Sequence, residues 1–205
     1  MRKKYIRQKD FFHLSKYAVH MENYQFPSFP FISLELGCGN GFFLTNLANR
    51  HKNRFYIGFD IKSDRLWKGC ALADKMNLEN IAFSRILIQN IDQYFPDNSI
   101  DEIWLLFSDP FPKPSKANQR LTHPDYLKKY YSILKNNGII HVKTDSELLF
   151  DYSYSSLIET EKFKINKKIQ NIEYSAEKED YYLPTHYEMI WRKQNRTISY
   201  LQALK

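Results

Sequence analysis

Apolar and polar positions fall in blocks along the chain, and the blocks read as strands separated by helices. Phe31 to Leu36 is a short apolar run with the pattern of a buried strand. Phe42 to Arg50 sets Phe42, Phe43, Leu44, Leu47 and Ala48 at helical spacing. Arg54 to Asp60 reads as a second strand, and Ser63 stands where it can cap a helix running to about Met76. Asn80 to Ile88 gives a third strand and Ile100 to Ser108 a fourth, strongly apolar one. Thr122 to Lys135 is helical and stops before Asn137-Gly138, a favourable helix end. Gly138 to Thr144 is a fifth strand, followed by a helix to about Glu159. Two strand-like stretches close the series, near Phe163 to Ile172 and His186 to Arg192.

Strands that are apolar throughout belong to sheets covered on both faces, so this order predicts a doubly wound α/β sheet. There is no internal repeat and no low-complexity linker. A chain of 205 residues has room for one substantial core. Residues 1–30 form a basic, aromatic arm and lead-in, expected to be extended and punctuated by Pro27 and Pro30; residues 31–205 form the α/β domain. In such sheets ligands sit beyond the carboxyl ends of the strands. Chemistry is therefore sought there first.

The first strand ends in Leu34-Glu35-Leu36-Gly37-Cys38-Gly39-Asn40-Gly41. Glycines permit a tight strand-to-helix turn and let the backbone approach a ligand. Dinucleotide enzymes favour Gly-x-Gly-x-x-Gly, whereas Gly37, Gly39 and Gly41 follow Gly-x-Gly-x-Gly. A pyrophosphate uses the helix N-terminus, while S-adenosylmethionine brings a zwitterionic tail instead. Asp60 closes the second strand 19 residues after Gly41, where an acid can accept from both ribose hydroxyls of an adenosine. Glu35 is placed either to order the loop or to meet the cofactor's ammonium group. The bland reading of the same residues is a tight turn with a capping acid. After the third strand, Leu87, Gln89 and Asn90 stand where an acid would receive an adenine amino group, and the sequence does not choose among them.

Composition adds a bias. Hydrophobic residues make up 43% and charged residues 26%, with a net charge of +7. Five cations (Arg2, Lys3, Lys4, Arg7, Lys9) precede the first acid, Asp10. The 30 cations less those five leave 25 against 23 acids, so the excess is concentrated in the arm. Such an arm suits sequence-independent attraction to nucleic acid, or is simply a solvated tail. No stretch approaches the roughly 18–20 apolar residues that span a bilayer, so no membrane is expected. The cationic start lacks the apolar run of a secretory signal, and Cys38 and Cys70 are too isolated for a disulfide framework or zinc site. A cytoplasmic protein with free thiols, no metal and no obligate protein partner is expected.

Also at a carboxyl strand end, the fourth strand runs into Phe107-Ser108-Asp109-Pro110-Phe111-Pro112-Lys113. Lys113, Lys116 and Arg120 follow in a loop free of acids, which suits a phosphate-bearing substrate, although an ordinary solvated loop would look similar. The fifth strand delivers a second carboxylate in His141-Val142-Lys143-Thr144-Asp145. His123 and His141 lack ligand spacing and read as structural.

The loop Asp109 to Lys113, Arg120-Leu121-Thr122-His123-Pro124, Lys143-Thr144-Asp145 and Thr185-His186-Tyr187-Glu188 occur in this order. Together they resemble the bacterial tRNA (guanine-N7-)-methyltransferase family, which methylates guanine 46 of the variable loop. The resemblance runs from about Phe31 to Arg192. It implies a Rossmann-like class I methyltransferase sheet, mostly parallel with one late antiparallel strand, over residues 31–205. It implies S-adenosylmethionine as methyl donor and tRNA as partner. Glu35, Asp60 and Asp109 are implied to contact the cofactor, with Asp109 also catalytic; Lys113, Asp145 and Thr185, His186, Tyr187 and Glu188 are implied to contact the acceptor nucleotide. The chain departs from the family in having Phe111 where a tryptophan is usual, in lacking the acid after the third strand, and in thinning the basic run that follows the proline loop.

Rival readings remain at this stage. Amino-methylating enzymes use adjacent prolines that Asp109-Pro110-Phe111-Pro112 lacks, and a small-molecule methyltransferase leaves the basic arm unexplained. A nicotinamide oxidoreductase conflicts with the glycine spacing. A non-catalytic RNA-binding protein on the same fold is the rival from another class.

Overall fold

The computed structural model describes residues 12–13, 15–172 and 179–205, so the basic arm lies outside the described residues. Two compact units divide at Asn90 and Ile91. The first contains β1 (Ile32–Leu36), α1 (Phe42–Arg50), β2 (Phe55–Asp60), α2 (Ser63–Lys75) and β3 (Ile81–Arg85). Its strands are parallel: Leu36 lies beside Phe59, and Asp60 beside Arg85. Every residue of β2 is buried, as a central parallel strand requires. Both helices lie between parallel strands, the connection that parallel pairing demands.

One aromatic ring organises this unit. A Cβ added at Gly41 would lie 2.6 Å from the Phe83 ring, at Gly58 2.8 Å, and at Gly69 2.9 Å. The loop, β2 and α2 therefore each present a glycine to Phe83, and the ring occupies the space their side chains would fill. The lead-in also closes on this strand. Phe83 N donates to Tyr17 O (2.7 Å), Val19 N to Phe83 O (3.0 Å) and Ser84 Oγ to Val19 O (2.6 Å), pairing backbone groups that an open edge would expose.

The second unit contains β4 (Ile100–Leu106), α3 (Pro124–Ile133), β5 (Leu134–Thr144), α4 (Glu147–Glu159), β6 (Lys164–Ile169), α5 (His186–Arg192) and β7 (Ser199–Leu204). β4 and β5 are parallel, and β7 runs antiparallel between β5 and β6. His141 sits in this core as a structural residue. Its Nε2 meets Glu102 at 2.9 Å, its Nδ1 meets the Tyr200 hydroxyl at 2.7 Å, and Trp104 stacks on it at 3.7 Å. With these strands the chain has a mostly parallel α/β architecture with a late antiparallel strand. Among the described residues no helix is long and apolar enough to cross a membrane.

Four local expectations change. The helix expected to reach Lys135 and end at Asn137-Gly138 stops at Ile133, and Leu134 already begins β5, which runs through Asn137-Gly138. His186 to Arg192 is a helix rather than a strand, because Thr185 and Glu188 form a capping box that starts one. The last strand is Ser199–Leu204, a segment with no strand assigned from the sequence. Ser63 is the first helical residue, and Lys62 precedes it as a cap without a side-chain bond.

Gly41→Ala is expected to destabilise the protein by about 2–5 kcal/mol, combining left-handed backbone strain at φ +66° with overpacking against Phe83. Gly39→Ala meets no atom within 4 Å and should lose only the strain, about 1–2 kcal/mol. Chemical denaturation of the two variants checks the difference; equal losses would contradict the ring-packing account.

Candidate active site

The first unit carries the glycine turn and two strand-end acids. Gly37 N and Cys38 N both donate to Phe59 O (2.8 and 2.9 Å), pinning the turn to the end of β2. Asp60, buried at the same strand end, accepts from Gly39 N (3.0 Å) through one oxygen and Lys62 N (2.9 Å) through the other. A carboxylate has about four acceptor positions, so those two bonds leave capacity for a ligand's hydroxyls. Gly37, Gly39 and Gly41 all take positive φ, at 82°, 55° and 66°. Of these, Gly41 is constrained by Phe83, while the missing side chain of Gly39 faces open space. Gly39 itself is buried, and Gly37 is the exposed glycine of the turn.

Glu35 is buried at the end of β1, and among the described residues its Oε2 has no hydrogen-bond partner. Burial, then the neighbouring Asp60 charge, pushes its carboxyl well above the usual range, against a backbone hydrogen bond from Leu44. An orphaned buried acceptor beside a second acid is electrostatically unfinished, and a cation completes it. An unpartnered buried carboxylate oxygen beside an acid with spare acceptor capacity fits a ligand that carries both a cation and hydroxyls, as S-adenosylmethionine does. Cys38 is buried too, and burial followed by the Glu35 and Asp60 charges raises its thiol, so it is no nucleophile here.

Two exposed apolar side chains lie beyond the strand ends of this unit. Ile61 follows β2 and Leu87 follows β3, at 52% and 51% exposure. Those strands are neighbours in register, and apolar groups beyond their ends suit the faces of an adenine ring. Gln89 is exposed and Asn90 half-buried nearby in sequence. Sequence reading passed over Ile61, although its place directly after the strand-closing acid was a visible signal.

The second unit carries the proline loop and the late helix. Asp109 and Lys113 are exposed on the loop after β4. Phe107 and Phe111, which bracket Asp109, have positive φ of 49° and 39°. Each such non-glycine residue costs about 1–3 kcal/mol unless its surroundings hold it, and such strain concentrates at functional sites. Phe107 N donates to Lys143 O (2.8 Å), which ties the loop's start to β5.

Charge placement here differs from the sequence reading. Lys113 and Lys116 are exposed, but Arg120 is buried and donates to the carbonyls of Pro110 and Phe111, both at 2.9 Å. It is an internal support rather than a third solvent-facing cation. Lys143 is fully buried in an ion pair with Glu188 (2.5 Å) and donates to Tyr181 O and Leu183 O. Burial lowers its ammonium, opposed by the Glu188 charge. The other Glu188 oxygen accepts from Arg192 at 2.9 and 2.8 Å. Removing one partner from such a buried pair costs about 3–5 kcal/mol, so Glu188 anchors its segment.

The Thr185 to Glu188 stretch therefore faces two ways. Thr185 and Glu188 are buried and occupied by the capping box and ion pair, while His186 and Tyr187 are exposed. Asp145, at the end of β5, accepts from Arg196 at 2.6 Å, and Arg196 lies 4.3 Å over the Trp191 ring.

Comparison with known proteins bears on this arrangement. A family model described as "Putative methyltransferase" matches residues 30–201. A Christiangramia forsetii protein named tRNA (guanine-N(7)-)-methyltransferase is 38% identical over 83% of this chain and 77% of its own length. A Bacteroides fragilis protein of the same name is 36% identical over 84% of this chain and 68% of its own. Among solved structures, the 16S rRNA methyltransferase KamB aligns with a TM-score of 0.63 at 14% identity, covering 98% of this chain and 94% of that one. A SAM-dependent methyltransferase from Aquifex aeolicus aligns at 0.59 and 12% identity, covering 86% and 83%. At such identities the structures speak for the fold.

Glu35 supplies a stability test. Its folded carboxyl holds a proton to higher pH than the unfolded one, which titrates near the usual 4.5. Folding therefore takes up a proton across that window, and stability is lost as pH rises through the folded titration. Wild-type ligand-free protein should lose up to about 1.4 kcal/mol per pH unit within the window from this group, and Glu35→Gln should flatten that slope. Denaturant midpoints between about pH 5 and about pH 9 check it; parallel curves for the two proteins would refute the assignment.

Proposed function

The chain belongs to the bacterial tRNA (guanine-N7-)-methyltransferase family, and from that membership we propose that it transfers a methyl group from S-adenosylmethionine to N7 of guanine 46 in tRNA. The carrying observation is the 38% identity to a relative of that name over 83% of the chain. The geometry supports it, with a cation-deficient, ribose-compatible strand end in one unit and exposed carboxylate and lysine groups on a strained loop in the other.

On this reading Glu35 holds the cofactor's ammonium, Asp60 its ribose, and the glycine turn lets its amino-acid portion approach the backbone. When bound, S-adenosylmethionine supplies an electrophilic methyl carbon. Guanine N7 carries an available lone pair at neutral pH, so no side chain has to remove a proton from it. The protein's contribution is orientation, which is worth up to about 7–11 kcal/mol for well-aligned reactants. Positive charge grows on the purine as the methyl group arrives, and a nearby carboxylate stabilises it. Asp109 fills that role and also contacts the cofactor. Asp145 accepts from the guanine N1 and amino edge, while Arg196 fixes its other oxygen. Lys113 neutralises phosphate, and exposed His186 and Tyr187 contact the acceptor nucleotide; Thr185 and Glu188 hold that segment in place. Reading a base at its edges requires it to leave the tRNA stack.

Incubation with labelled S-adenosylmethionine and unmodified tRNA, followed by nucleoside analysis, is expected to give label in 7-methylguanosine at position 46. Label at another atom or position would overturn the proposal. Asp109→Ala is expected to lower kcat by about a hundredfold. Near-normal turnover of that variant at saturating cofactor would remove Asp109 from its central place.

A further inference from the structure

We propose that Arg120 is a positioning residue for the methyl-transfer step, holding the Asp109 loop in its working conformation from beneath. This rests on the function proposed above. In extended backbone successive carbonyls point to opposite sides. The Pro110 and Phe111 carbonyls flank the Phe111 φ/ψ pair, and its φ of +39° turns both toward one guanidinium. Arg120 donates to them through Nε and Nη2, both at 2.9 Å, using the adjacent edge donors of a planar group. A lysine ammonium has no such planar pair.

The clamp is built into the fold. Arg120 is 6% exposed, and its guanidinium lies 4.2 Å over the Tyr152 ring of α4. No carboxylate among the described residues pairs with it, so carbonyl dipoles and the ring face are what its charge meets. Two residues on, Thr122 Oγ1 bonds Ser153 Oγ of α4 at 2.8 Å, fastening the same stretch again. α4 is capped by Ser146, the residue after Asp145. One helix thus carries the ring beneath the Asp109 loop and starts beside the second acceptor carboxylate. Between the clamped carbonyls and Arg120, Lys113 and Lys116 are held outward on a pinned loop.

Without Arg120, the strained Phe111 backbone has lost its compensating bonds and relaxes, and Asp109 loses its preset position. The test uses full-length Arg120→Ala and Arg120→Lys beside wild type. Trypsin cleavage after Lys116, mapped by mass spectrometry, reads loop opening with no substrate present. Arg120→Ala is expected to speed that cleavage at least about tenfold. Its kcat on tRNA should fall roughly ten- to a hundredfold, with a smaller rise in tRNA KM and cofactor affinity within about twofold of wild type. Arg120→Lys should lie between the two, and it decides the matter if the alanine variant does not fold. Wild-type cleavage after Lys116 together with wild-type kcat overturns the proposal. So does cofactor affinity falling in step with kcat in both variants, which marks a general loss of structure. Wild-type protein inactive on tRNA, with the cleavage contrast intact, would sink the functional reading and the catalytic part of this one, while leaving the clamp itself standing.

Discussion

Parallel strands leave no solvated face, and this constraint governs where chemistry can stand in the protein. The central strand β2 is buried along its whole length, and β1 and β4 are buried over most of theirs. Polar groups able to meet a ligand therefore collect where strands end. Glu35 and Asp60 occupy two such ends in the first unit, and Asp145 another in the second. Asp109 lies three residues beyond β4, on the loop that β4 feeds.

Those ends are where local stability is given up. Glu35 leaves a buried oxygen without a partner, and Phe107 and Phe111 hold a backbone region that side chains disfavour. Neither feature stabilises the ligand-free fold. The Phe83 ring fills the space under the glycine turn, and Arg120 with Tyr152 supports the proline loop. A rigid floor beneath a strained or unfinished surface is the arrangement that pre-organisation requires.

Buried charge follows the same division of labour. Lys143, Glu188 and Arg192 form a paired network that fixes the late helix, and its desolvation cost is offset by bonds to Tyr181, Leu183 and Ile172 carbonyls. Lys113 and Lys116, by contrast, keep their charges at the surface.

The sequence by itself determined the alternation of elements, the limits of α1, the glycine turn, and the acids at the ends of the first, second and fifth strands. These follow from periodicity and punctuation, which are local and readable along the chain. Tertiary structure decided the rest. His186 to Arg192 has apolar residues at Tyr187, Met189, Ile190 and Trp191, a seven-residue window too short to separate helix from strand, and the Glu188 side chain settled it by reaching back to Thr185. Arg120 reads like Lys113 and Lys116 in sequence, yet it turns inward because two carbonyls and a ring from a distant helix await it. The opening glycines divide in the same way: their spacing announces a turn, but only packing shows that Gly41 makes room for Phe83 while Gly39 faces open space. A side chain's type is written in the chain, whereas its partner is chosen by what the fold brings within reach.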